Sequence, residues 1–140
     1  MKKTWTAILL CICLLFTLLP AKAFAAETSI DVGGVELRGD ADHIAYALTD
    51  EDGNVSTEGA SASNYQIAWD GETLTLNEAT ITRKIPTGEE PDETIYRRGD
   101  LRMELKGKNT VTGPSGTGFS HGIYLRDGSL TIASSDGSGR

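Results

Sequence analysis

From residue 65 onward, apolar and polar residues alternate in short runs that recur at a fixed spacing. Ile67, Ile95 and Ile123 lie 28 residues apart, and each opens a run that passes through a turn into an alternating segment. The apolar positions of these segments are Leu74 and Leu76, then Leu101, Met103 and Leu105, then Leu130 and Ile132. Alternation with a period of two is typical of half-buried strands, and self-similarity at a constant period is typical of stacked repeats. The pattern predicts an all-β protein built from repeated strand units.

Residues 26–64 lie outside this register and predict short strands of their own. Apolar residues alternate on both sides of Gly33-Gly34, which is typical of a hairpin. A second apolar run at 44–48 ends in the acidic segment 50–54, whose composition indicates a turn. No apolar stripe with helical spacing persists after residue 25. We therefore assign 26–64 to N-terminal strands or a cap, and 65–140 to repeats whose units start near 67, 95 and 123.

Two packings fit the repeated units. Asp70-Gly71 and Asp127-Gly128 are dipeptides of type I′ turns, so each unit could be an antiparallel β-hairpin. Alternatively, each unit is one coil of a right-handed parallel β-helix, with equivalent residues about 4.8 Å apart in neighbouring coils. The second unit has Arg98-Gly99-Asp100 at its turn, one residue fewer, yet the spacing is kept. This favours a partial β-helix of about two and a half coils, with hairpin repeats as the alternative.

Either packing predicts a set of inward-facing residues. They are Ile67, Leu74, Leu76, Ile81, Ile95, Leu101, Met103, Leu105, Val111, Ile123, Leu130 and Ile132. The third unit has no counterpart of the second strand that Ala79 and Ile81 predict in the first unit. Because stacked repeats need about three units for stability, we expect this chain to be the N-terminal part of a longer protein.

The first 25 residues predict a secretory signal peptide. Lys2 and Lys3 precede an apolar core at 7–19, and Ala23-Phe24-Ala25 supplies small residues before the cleavage site. The apolar core is shorter than the roughly 18–20 residues of a membrane span. We therefore expect a secreted or cell-surface protein with no membrane span after cleavage. Both cysteines of the chain leave with the peptide, so no disulfide is expected.

Charge narrows the class of partner. The net charge of the whole chain is −7, and removal of three lysines with the signal peptide leaves 10 basic and 20 acidic residues. An acidic chain without a broad basic face is not expected to bind nucleic acid. Divalent cations are plausible partners. Asp50, Asp52 and Asn54 surround Gly53 with hard oxygen ligands and are the candidate calcium ligands. A solvated turn of the same composition is the alternative.

The repeated phrases resemble a bacterial family. They are 70–77, 99–105 with 108–113, and 122–124 with 127–132. They look like the secreted carbohydrate-binding proteins that have a pectate-lyase-like β-helix. The resemblance covers roughly residues 65–136 and consists mostly of strand-and-turn motifs. It implies a right-handed β-helix, calcium binding, and affinity for acidic plant polysaccharide such as polygalacturonate without cleavage.

Tyr96 and Tyr124 occupy the same position in successive units and are the candidate carbohydrate-binding aromatics. If Ile95 and Ile123 point inward, alternation puts both tyrosines outward on neighbouring strands. Arg97, Arg98 and Arg126 flank them and could pair with uronate carboxylates through two parallel hydrogen bonds. The alternative is a structural aromatic ladder that shields the sheet.

The sequence predicts no catalytic residues. His43 and His121 lie in unrelated segments, and no carboxylate stripe recurs at strand positions. We therefore predict a secreted, non-catalytic module that binds acidic polysaccharide. The rival hypothesis is a structural or adhesive surface protein whose repeats present the charged loop 83–94 to a protein partner.

Overall fold

The computed structural model describes residues 28–82, 93–114, 121–135 and 137, and this part of the chain is all-β, without a helix. The strands are β1 (Thr28–Val32), β2 (Val35–Gly39), β3 (Ala45–Thr49), β4 (Val55–Ser56), β5 (Ile67–Trp69), β6 (Thr73–Asn77), β7 (Thr80–Thr82), β8 (Glu93–Arg98), β9 (Leu101–Lys106), β10 (Thr110–Thr112), β11 (His121–Arg126) and β12 (Leu130–Ser134). The predicted signal peptide and most of the loop 83–94 lie outside the described residues.

The strands form three sheets, of which two are mixed. Sheet A has the order β11-β8-β1-β2, sheet B the order β12-β9-β6-β5-β3-β4, and sheet C pairs β10 with β7. The hairpin predicted around Gly33-Gly34 is β1–β2, and the apolar run at 44–48 forms most of β3. Both predictions are confirmed.

From β6 onward, strands of successive units pair in parallel. On β11 and β8, Ile123 lies opposite Ile95. In sheet B, β9 lies between β6 and β12, and Met103 is opposite both Leu74 and Ile132. In sheet C, β10 pairs in parallel with β7. β8 and β9 of the second unit thus lie in register with β11 and β12 of the third.

The opening strand of the first unit, β5, is arranged differently, and the prediction that Ile67 stacks on Ile95 is wrong. β5 is antiparallel to both β3 and β6, with Ile67 opposite Leu76. The free side of β8 is taken by β1, which is also antiparallel and places Val32 opposite Ile95. The expected succession of uniform parallel coils from residue 65 is thus replaced by sheets of mixed direction.

The turn at Gly71 explains why the first unit folds back. Gly71 and Glu72 are the central residues between Asp70 and Thr73, and only Gly71 has a positive φ, of 98°. A glycine at the first central position is typical of a type II′ turn, whose twist suits a two-residue hairpin. The turn is therefore not the type I′ turn predicted from Asp70-Gly71. The hairpin alternative describes the first unit, whereas β11 and β12 belong to different sheets.

One hydrophobic core lies between the sheets and draws on both 28–64 and the repeats. Seven predicted inward residues are buried: Ile67, Leu74, Leu76, Ile81, Ile95, Leu101 and Met103. Leu105, Val111 and Ile123 are partly buried against the same cluster. Ile30, Val32, Leu37 and Ala47 from the N-terminal strands complete it, together with Trp69 and Ala79.

Two predicted core residues are not buried. Leu130 is 41% exposed and Ile132 is 54% exposed. Both lie on β12, the edge strand of sheet B, and no described strand pairs with its outer side. Both side chains point inward but stay accessible to water, because β9 is the only described strand that pairs with β12.

The corners of the second and third units are in close contact. Asp100 Oδ1 accepts hydrogen bonds from the backbone N–H and the hydroxyl of Ser129, both at 2.8 Å. A Cβ on Gly128 would overlap the carbonyl group of Gly99. Glycine at 128 is therefore required by the close approach of two backbones, and these contacts fix the register of the third unit on the second.

Candidate functional site

The outer face of sheet A carries a pair of stacked tyrosines. Tyr96 on β8 lies directly opposite Tyr124 on β11, as the repeat predicted. Their ring centroids are 6.0 Å apart and the ring planes differ by 16°. Tyr96 is half-buried, whereas Tyr124 is 37% exposed, and the ring of His121 lies 5.4 Å from that of Tyr124. Neighbouring strands thus present one aromatic surface.

Two arginines continue this surface toward the ends of the same strands. Arg98 lies opposite Arg126, two residues beyond each tyrosine, so strand alternation places all four side chains on one face. Both arginines are exposed. The Nε atom of Arg126 is 3.8 Å from an oxygen of Asp127, a distance at which an exposed pair contributes little free energy. Two arginines therefore occupy neighbouring positions on the same face as the aromatic pair.

Arg97 has different surroundings from the other four candidates. Alternation directs it away from the tyrosines, and its guanidinium carbon lies 4.8 Å from the ring centroid of buried Trp69. One terminal nitrogen donates a 2.6 Å hydrogen bond to the carbonyl of Ser29 on β1. Burial lowers the pKa of Arg97 from its ordinary value. These contacts tie β8 to β1 and β5.

A groove of about 570 Å³ lies beside Tyr96 and widens the site. It is lined by Thr28, Ser29, Asp31, Glu36, Tyr96, Arg97 and Arg98. Asp31 is opposite Tyr96 on one side and Glu36 on the other. One row of side chains therefore crosses the four strands of sheet A in the order Tyr124, Tyr96, Asp31 and Glu36.

Sequence reasoning missed the two carboxylates of this row. Asp31 and Glu36 reach the tyrosines only because β1 pairs with β8, across more than 60 residues of sequence. The available signal was the alternation of polar and apolar residues in the predicted hairpin, which put Asp31 and Glu36 on its polar face. Glu36 accepts a 3.0 Å hydrogen bond from Arg38, which lowers the pKa of its carboxyl.

The candidate calcium ligands form a compact turn. Asp50 Oδ1 accepts hydrogen bonds from the backbone N–H groups of Asp52 and Asn54, at 3.0 and 2.8 Å. Its other oxygen accepts a 2.6 Å bond from the side-chain amide of Asn54. The described residues include no group of three or more His, Cys, Asp or Glu side chains placed to hold a metal ion. Calcium binding at Asp50, Asp52 and Asn54 stays a prediction.

No protein family, curated protein or solved structure matches this chain. In the part of the chain that the structure describes, no helix is long and apolar enough to cross a membrane.

Proposed function

We propose that this chain is a secreted, non-catalytic module that binds polysaccharide, with acidic polymers such as polygalacturonate favoured. The observation that carries the proposal is the stacked pair of half-buried Tyr96 and exposed Tyr124, with Arg98 and Arg126 in register beside it. Aromatic rings pack against the apolar faces of sugar rings, and a planar guanidinium binds a carboxylate through two parallel hydrogen bonds. The two residue types together suit a polymer of uronic acids.

The geometry supports a polymer that lies across the strands. Tyr124 and Tyr96 come from adjacent strands, so a chain of sugars running from β11 to β1 would contact each strand in turn. Arg98 and Arg126 would pair with carboxylates along one side. Asp31 and Glu36, at the far end, would accept hydrogen bonds from sugar hydroxyls and disfavour a uronate at that position. Arg97 would act as a positioning residue, because its contacts with Ser29 and Trp69 orient β8.

The proposal extends to the fold and to calcium. The parallel pairs β8–β11, β6–β9–β12 and β7–β10 support a right-handed β-helix that begins at β6, within the first unit. The hairpins β1–β2 and β5–β6 would then close its N-terminal end. A calcium ion at the turn of Asp50 would leave the tyrosine face unchanged, since the turn contributes no residue to the groove.

Binding to insoluble polygalacturonate tests the proposed function. The double substitution Arg98→Ala with Arg126→Ala should weaken binding by roughly tenfold or more at low salt. Each substitution removes a charge-assisted, hydrogen-bonded pair with a uronate carboxylate. The loss should shrink as salt rises, since exposed charges are screened. Tyr96→Ala with Tyr124→Ala should also weaken binding to polygalacturonate.

Arg102→Ala is the matched control. Arg102 is exposed but lies on β9 of sheet B, where it pairs with Glu104 at 3.1 Å. The control removes one positive charge without touching the tyrosine face. An equal loss of binding in this variant, or unchanged binding in the Arg98/Arg126 variant, would refute the proposed site.

A further inference from the structure

A second aromatic group, whose two tyrosines are half-buried, lies on the outer face of sheet B. Tyr46 on β3 is opposite Ala68 on β5, and Ala68 is in turn opposite Thr75 on β6. The ring of Tyr65 lies 5.4 Å from that of Tyr46, tilted by 39°. The two tyrosines therefore lie at one end of a surface formed by the small side chains of Ala68 and Thr75. We call this group, with Ile44, the Tyr46/Tyr65 shelf.

Two adjoining depressions are associated with the shelf. The smaller, of about 120 Å³, is lined by Ile44, Tyr46, Tyr65, Ala68, Asp70, Thr73 and Thr75. The larger, of about 380 Å³, is lined by Thr28, Asp40, Ala41, Ile44, Asp70, Gly71 and Glu72. Ile44 and Asp70 line both, and Ile44 is 44% exposed. The exposed apolar side chain of Ile44 thus lies between the two depressions.

The carboxylates beside Ile44 are held in fixed positions. Asp40 Oδ1 accepts 2.8 Å hydrogen bonds from the backbone N–H groups of Asp42 and His43. Asp70 Oδ1 accepts bonds from Glu72 and Thr73 at 2.9 and 2.7 Å. In the described part of the chain, no hydrogen bond reaches Oδ2 of either carboxylate. Each therefore presents one preoriented acceptor toward a ligand.

The negative charge of this surface favours neutral ligands over acidic ones. No lysine or arginine lines either depression. Lys106, the cation next to Tyr65, lies 3.1 Å from the tyrosine hydroxyl and holds that ring in place. A uronate carboxylate would meet Asp40, Asp70 and Glu72 and be repelled, whereas a neutral sugar would donate its hydroxyls to them.

We propose that the Tyr46/Tyr65 shelf is a second saccharide site, which binds a neutral sugar ring on Ile44, Tyr46 and Tyr65 and its hydroxyls through Asp40 and Asp70. The site is independent of the proposed Tyr96/Tyr124 surface. The two occupy different sheets and share only Thr28 among their lining residues. The chain would then hold an acidic and a neutral glycan at the same time.

Methyl and amide NMR spectra of the purified chain can read the two sites separately. The probes are cellohexaose, xylohexaose and mannohexaose as neutral oligosaccharides, with hexagalacturonate as the acidic one. At least one neutral probe should shift the methyl signals of Ile44, Ala68 and Thr75. Ile44→Ser, a change at an exposed position, should weaken that binding by roughly tenfold, as expected when an apolar anchor is removed. Tyr46→Ala provides a second test of the shelf.

The Tyr96→Ala/Tyr124→Ala variant is the control, and it should bind the neutral probe at the shelf as the unaltered chain does. Hexagalacturonate should shift the amide signals of β8 and β11 but leave the methyl signal of Ala68 in place. The proposal is overturned if none of the three neutral probes shifts the shelf signals. It also fails if both shelf variants bind normally, or if hexagalacturonate occupies the shelf. Each of these outcomes is independent of the result at Tyr96 and Tyr124.

Discussion

Asp70 and Asp100 lie in the turns of successive units, but their carboxylates have different partners. Asp70 accepts hydrogen bonds from Glu72 and Thr73 within its own turn. Asp100 accepts both of its bonds from Ser129, which belongs to the next unit. The difference arises because the second turn is a corner between sheets, against which the corner of the third unit packs. One residue type thus stabilises a hairpin in one place and the contact between units in the other.

Substitution of Asp100 should weaken the contact between the second and third units. Asp100→Ala removes both acceptor bonds and is expected to lower the melting temperature, because Ser129 loses its partner. Ser129→Ala should cost less, since the backbone N–H bond remains. Asp100→Asn keeps an acceptor oxygen and removes only the charge. Thermal unfolding at neutral pH measures all three, and equal melting temperatures for Asp100→Ala and the unaltered chain would contradict the role of this contact.

The same contact predicts a dependence of stability on pH. The hydrogen bonds from Ser129 hold the pKa of Asp100 below its ordinary value of 3.8. The unfolded chain therefore binds this proton at a higher pH than the folded chain does. The stabilisation is complete above about pH 4 and is lost as the pH falls through the folded-state pKa. Thermal unfolding between pH 7 and 2 should show a smaller loss of stability at acidic pH for Asp100→Asn, and an identical loss would contradict the prediction.

The strands show which part of the fold the periodicity can predict. The spacing correctly placed β11 on β8 and β12 on β9, because parallel stacking repeats the same inward positions in each unit. It failed for Ile67, since an antiparallel hairpin presents the same alternation of apolar residues as a parallel strand. What distinguishes the two is the turn at Gly71 and the presence of β1 beside β8. Neither is encoded in the periodicity itself.

Gly71→Ala should destabilise the β5–β6 hairpin. The residue has a φ of 98°, and an added Cβ would lie 3.0 Å from the Cα of Asp40 and from the carbonyl oxygen of Gly39. We expect a loss of about 1–3 kcal/mol in the free energy of unfolding, the usual range for a residue held in a sparsely populated conformation. Gly59→Ala is the control, because Gly59 also has a positive φ but a Cβ added there would meet no atom within 4 Å. Urea denaturation should show the smaller loss for Gly59→Ala, and equal losses would mean that the contact with Gly39 and Asp40 is unimportant.

At the scale of the whole molecule, the core is deepest where strands from both parts of the chain meet. Trp69 is fully buried there, and its indole N–H donates a 2.9 Å hydrogen bond to the carbonyl of Thr28. Sequence alternation predicted which residues face inward but not how well each is covered. Coverage depends on the strands that lie on either side, and these come from distant segments. For the same reason Tyr96 and Tyr124 could be predicted from the repeat, whereas the Tyr46/Tyr65 shelf could not.

The difference in burial between neighbouring strands is seen at Leu101 and Leu130. They lie opposite one another on β9 and β12, yet Leu101 is 1% exposed and Leu130 is 41% exposed. Leu101→Ala should lower the free energy of unfolding by about 2–5 kcal/mol, because it leaves a cavity that β6 and β12 cannot fill. Leu130→Ala should cost only about 1 kcal/mol, since less apolar surface is removed from water there. Paired urea denaturation curves provide the comparison. Similar losses would show that another part of the chain, or a second molecule, covers β12 in solution, and the apparent end of the core at β12 would then be a buried interface.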